Sequence, residues 1–261
     1  MNVAALTKRA KIALTALILS LSIFFLPSAH PTKQILLAIL VFPVSYVLSL
    51  WAIWGPIEKI KLVNLFVLPT IFTLGSSLFF VTVNLEIPAR VVLTVLYGVL
   101  MYIILLCENI FNVSSVRNIP LLRAATSVGY VATLTVSFLL FGVFYALNLS
   151  GFFFASLVLV SSFLLIFQAI WQLDLSDSLS KNVLLYSFMA ALITGEFALA
   201  LSFLPLRIAL IAVSLTCVIY VLLGLISLKL REKLTSRSTF EYIFIGGAVF
   251  VLILFVTRWG A

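Results

Sequence analysis

Long apolar runs separated by short polar breaks organise this chain. Residues 12–32, 34–57, 62–85, 91–107, 124–173 and 208–228 contain no Lys, Arg, Asp or Glu. At about 1.5 Å per helical residue, each run covers most or all of a hydrocarbon core roughly 30 Å thick. The run 124–173 accommodates two spans joined at Asn148–Gly151. The pattern predicts nine helices, at about 12–29, 35–54, 63–85, 89–111, 124–147, 152–171, 183–204, 207–228 and 240–257. The runs are continuously apolar rather than alternating, which excludes a transmembrane barrel. The predicted fold class is therefore all-α, a polytopic helical membrane protein of about nine transmembrane helices. The connections leave no room for a soluble domain, so residues 1–261 read as a single integral membrane domain.

Composition supports this reading. Of 261 residues, 64% are hydrophobic and 9% charged, with a mean hydropathy of +1.31. A soluble domain carries about 25% charged residues. The net charge of +8 reflects membrane topology here and does not point to nucleic acid. With the N-terminus inside, the cytoplasmic side receives Lys8, Arg9, Lys11, Lys59, Lys61, Arg117, Arg123, Lys181, Lys229, Arg231, Lys233 and Arg237. Only Lys33, Arg90, Arg207 and Arg258 fall on the other side. This bias predicts a cytoplasmic N-terminus and an external C-terminus, with the cell membrane as the location. Trp51, Trp54, Trp171 and Trp259 all stand at predicted span ends, as an interfacial aromatic belt requires. The first span has the basic flank of a signal peptide, but Pro27 fits poorly before a cut after Ala29, so it reads as a retained helix.

Small and helix-bending residues suggest how the spans pack. Pro43 and Pro69 should kink the second and third helices. Ala125, Gly129, Thr133 and Ser137 recur every four residues on the fifth. Such a stripe lets helix backbones approach closely in lipid, so it should lie against another helix of the same chain.

Candidate chemistry is sparse. Polar and turn-forming residues gather between Glu108 and Arg123. Pro120 limits the fourth helix, which is expected to continue past Glu108 to about Asn118. At 100° per residue, Glu108, Asn109, Asn112 and Ser115 share one arc. The arc reads as a cytoplasmic polar gate or docking element, with Arg123 the better partner for Glu108. Glu196 lies deep in the seventh span. Ionisable residues at such depth usually face an interior cavity or a partner, so Glu196 is the candidate for substrate binding or proton coupling. Lys229, Arg231, Lys233 and Arg237 should attract anionic lipid headgroups at the cytoplasmic face.

Other chemistries find little support. Asp174 and Asp177 have the D-x-x-D spacing that suits Mg²⁺ and a diphosphate, but no second acidic cluster accompanies them. The single histidine, His30, precludes a multi-histidine metal site and a Ser–His–Asp set in the cytoplasm. Cys107 and Cys217 lie within spans and read as small apolar residues. No metal and no cofactor is expected. The sequence thus points first to a non-enzymatic transporter of a small solute or lipid-like substrate. The alternative is a membrane scaffold or complex subunit that docks a cytoplasmic partner through residues 108–123. A lipid-modifying enzyme is the remotest reading.

Overall fold

The computed structural model describes residues 7–28, 30–54, 59–83, 85–114, 121–174 and 181–257. Among them are nine helices long and apolar enough to cross a membrane. These are α1 (Lys8–Phe25), α2 (Pro31–Ile53), α3 (Lys59–Thr82), α4 (Ile87–Ser114), α5 (Leu122–Ala146), α6 (Gly151–Asp174), α7 (Lys181–Leu201), α8 (Ile208–Leu230) and α9 (Ser236–Val256). The protein is an all-helical, multi-pass membrane protein. The predicted spans match these helices to within a few residues at most ends. α4 is the longest at 28 residues, about 42 Å, and it does continue past Glu108. Residues 115–120, where it was expected to end, lie outside the described residues.

The chain forms two compact units, Met1–Ala132 and Thr133–Ala261, with the boundary inside α5. In the first unit α1 packs on α2 and α4, and α3 packs on α2 and α4. α1 buries Ile12, Thr15, Ala16, Leu19, Ser20 and Ile23, a helical-period stripe that makes it part of this core. Pro43 and Pro69 fall inside α2 and α3. Beside Pro69, the Thr70 and Thr73 hydroxyls donate to the Phe66 and Pro69 carbonyls at 2.5 and 2.8 Å. Such back-bonding satisfies hydroxyls that have no water to turn to.

In the second unit α6 and α7 share the most extensive interface, and α8 contacts α6, α7 and α9. Small residues make the close approach possible. A Cβ on Gly195 of α7 would stand 2.9 Å from Leu159 of α6. On α5, Gly142 lies against Ala212 of α8, and the Tyr145 hydroxyl donates to the Leu206 carbonyl at 3.4 Å. The stripe Ala125, Gly129, Thr133 and Ser137 is buried throughout. Trp171 is buried too, whereas Trp54 is exposed as a belt residue would be.

α9 is the least embedded helix, with Ile253 its buried position. It is held to α8 largely where Gly224 receives the Tyr242 ring, in a space that any added Cβ would fill. Between them, α8 ends in a Schellman turn. Glu232 adopts φ 56° and donates to the Lys229 carbonyl, while Lys233 N–H reaches the Leu228 carbonyl at 2.9 Å. Overpacking a well-filled contact typically costs about 1–3 kcal/mol. Gly224→Ala should therefore lower thermal stability in detergent and increase proteolysis at the α8–α9 turn. Unchanged melting and cleavage would show that Gly224 does not hold α9.

Candidate functional site

Glu108 is fully buried, and Asn112, one helical turn on, is 4% exposed. Asn109 is half-buried, and Arg123 at the start of α5 is exposed. Ser115 lies outside the described residues. Of the expected arc, Glu108 and Asn112 are thus buried, whereas Asn109 is partly and Arg123 largely exposed. The cause is the helical face. Met101, Leu105, Glu108 and Asn112 continue the buried stripe of α4, along with Ile104 and Phe111. Glu108 therefore inherits a core position from its apolar predecessors.

Contacts between neighbouring helices fix what stands level with Glu108. The Thr15 hydroxyl of α1 donates to the Leu48 carbonyl of α2 at 3.4 Å, and Lys11 Nζ lies 5.4 Å from the Trp51 ring centroid. The Ser77 hydroxyl of α3 donates to the Ala38 carbonyl of α2 at 3.0 Å. The hydroxyls of Thr73 and Tyr97 join α3 to α4 at 2.9 Å. A Cβ on Gly98 of α4 would stand 2.6 Å from the Ser20 Oγ of α1.

Antiparallel helices keep step at about 1.5 Å per residue. From the Ser77–Ala38 contact, equal steps bring Asn64 level with Trp51. From the Thr73–Tyr97 contact they bring Asn64 level with Leu106. From the Ser20–Gly98 approach they bring Lys11 level with Cys107. To within about one turn, Lys11, Trp51, Asn64 and Glu108 occupy one level of the first unit.

This level is polar in a way that back-bonding cannot satisfy. Asn64 is 2% exposed, and its Nδ2 makes no hydrogen bond. The Ser49 hydroxyl, one turn from the level, is also buried without a partner. Orphaned polar atoms in an apolar interior cost about 1–3 kcal/mol each. Sequence reading missed Asn64, because one uncharged amide does not interrupt a hydropathy window.

Glu196 is placed differently from expectation. It lies exposed on α7, five residues before the helix ends at Leu201. The buried face of α7 runs through Val183, Ser187, Ala190, Ala191, Thr194, Gly195, Ala198 and Leu201. Glu196 stands about 200° around the helix from both Thr194 and Ala198. Depth alone had suggested an interior position. The small-residue spacing of Ser187, Ala191, Thr194 and Ala198 was the signal for the packed face, and Glu196 is off it. In α6 the amides of Gln168 and Gln172, also one turn apart, are buried. They too escaped the sequence reading.

Lys229, Arg231, Lys233 and Arg237 are all exposed around the α8–α9 turn. Lys229 Nζ lies 4.9 Å from the Tyr186 ring centroid, and Arg237 Nε bonds Glu241 Oε1 at 3.2 Å. Asp174 closes α6, while Asp177 lies outside the described residues. Among the described residues no cluster of three or more His, Cys, Asp or Glu could hold a metal ion.

Asn64 offers a test of the polar level. Replacing an unsatisfied buried amide by a near-isosteric apolar side chain removes its desolvation penalty. Asn64→Leu should raise the melting temperature in detergent, by an amount equivalent to about 1–3 kcal/mol. A lowered melting temperature would mean that the amide is satisfied in the folded protein.

No curated protein and no solved structure matches the chain. A family model described as "Protein of unknown function (DUF5656)" matches residues 54–256, well over half of the chain. The match begins at the end of α2 and so takes in Asn64, Glu108 and Asn112, with Lys11 and Trp51 before it. The chain is a member of the DUF5656 family.

Proposed function

We propose that this multi-pass membrane protein is a proton-coupled transporter of a small polar solute, with its recognition site at the Glu108 level of the first unit. The observation that carries the reading is the complete burial of Glu108 beside Asn112, level with Asn64, whose buried Nδ2 makes no hydrogen bond. Ionisable residues inside a membrane bundle are costly, and they characteristically mark substrate and proton pathways. A carboxyl group and two amides offer both donors and acceptors, which suits a solute bearing hydroxyl, amide or amino groups. Lys11 stands at about the same level, with its Nζ over the Trp51 ring. Binding of solute and proton would then be linked through Glu108. The docking alternative loses support, because Glu108 and Asn112 are turned inward.

The orientation proposed from the basic residues puts this level near the cytoplasmic face, since α4 runs toward the 115–121 connection. Single cysteines at Lys33 and Lys233, in a background lacking Cys107 and Cys217, should react with an impermeant thiol reagent from opposite sides. Lys233→Cys should react from the cytoplasm. Labelling of both from one side contradicts this topology.

Transport itself is tested in proteoliposomes carrying an entrapped pH-sensitive dye. A panel of amino acids, sugars and nucleosides is offered under an imposed proton gradient. At least one should drive proton movement through the wild type. Glu108→Gln should reduce it at least tenfold, a loss of about 1.4 kcal/mol or more in barrier terms. Glu196→Gln should retain more than half. Equal coupled flux in Glu108→Gln, or no coupled flux in the wild type across the panel, overturns the proposal.

A further inference from the structure

The second unit contains a cavity of about 360 Å³ between α7, α8 and α9. Ile193 and Phe197 of α7, Val218 and Leu222 of α8, and Ile243 and Phe250 of α9 line it. The Phe197 and Phe250 rings, 5.5 Å apart, stand at its deep end. Ile243, at the other end, is shared with a shallow depression that also includes Thr235, Ser236 and Thr239. The apolar groove thus continues to a polar mouth at the α8–α9 turn.

The adjoining α8–α9 turn is basic. Lys229, Arg231 and Lys233 line neither the cavity nor the depression but are exposed on that turn, Lys229 with its Nζ over the Tyr186 ring. None of the three pairs with a carboxylate among the described residues, while Arg237 is paired with Glu241. The opposing acids of the turn and the first part of α9 are Glu232 and Glu241, so the local balance is positive. An apolar groove along a membrane span, opening beside cations at the span's end, has the amphipathic layout of a phospholipid. Gly246 and Gly247 keep the α9 wall low, and a Cβ on Gly247 would meet nothing within 4 Å.

We propose that this groove is a binding site for one anionic phospholipid. An acyl chain lies between α7, α8 and α9, and its phosphate rests on Lys229, Arg231 and Lys233. The lipid would complete the packing of α9, whose contacts with the rest of the second unit are few. The site shares no residue with the Glu108 level and is independent of the transport reading.

The test is native mass spectrometry of the whole protein, purified in mild detergent with equimolar phosphatidylglycerol and phosphatidylcholine. The wild type should retain one phosphatidylglycerol at least fivefold in excess of phosphatidylcholine. Arg231→Gln combined with Lys233→Gln, both at exposed positions, should abolish the preference. Gly247→Leu fills the groove and should remove the retained lipid, whereas Gly247→Ala should keep it. Equal retention of the two lipids by the wild type overturns the proposal. So does undiminished retention by a monodisperse, helical Gly247→Leu protein.

Discussion

A polar group surrounded by hydrocarbon must find its partner within the protein, and the rest of this structure depends on that constraint. Helices satisfy the backbone. Most buried hydroxyls satisfy themselves on the preceding turn, as Ser20 does on Ala16, Ser187 on Val183, Thr194 on Ala190 and Ser214 on Leu210. Such residues cost the bundle little, and they let helices approach because they are small. Carboxylates and amides are different, since their reach and number of bonding positions exceed what one turn of backbone supplies. Glu108, Asn112 and Asn64 therefore concentrate the polar demand of the first unit at one level. That concentration carries the functional proposal.

Much of the fold was legible because hydropathy reports charge-free length. The nine helices of the described residues, the interior prolines and the buried stripe of α5 follow from where charges, Pro and small residues fall. Facing was less legible. Glu196 sits in an almost uniformly apolar helix, so its depth could be read and its direction could not. The small residues Ser187, Ala191, Thr194 and Ala198 carried that direction. Glu108 presented the opposite case. Its position near the end of a span suggested an interfacial residue, yet it continues the face of Met101 and Leu105 and is buried with them. The interhelical register was out of reach altogether. It rests on pairings such as Thr73 with Tyr97 and Ser77 with Ala38, which join residues far apart in the chain.

The two units use polar residues differently. In the first, a buried acid and two buried amides stand at about one level near the ends of the helices. In the second, the interior amides of α6 accompany close α6–α7 packing, and the accessible features lie toward α9. An apolar groove, a glycine-lowered wall and a basic turn all suit the bilayer as a ligand. The basic residues of that turn, among those from which an orientation was proposed, stand next to the groove in the chain. The proposed lipid site and the proposed solute site share no residue and rest on separate chemistry.

Infrared difference spectroscopy of wild-type protein and Glu108→Gln, in reconstituted membranes, tests the central claim most directly. The account predicts a carboxyl band that belongs to Glu108, shifts in D₂O within minutes and titrates with pH, because a transport site must exchange protons with water. A Glu108 band that neither exchanges nor titrates would make the residue an inert structural acid, and would contradict the account.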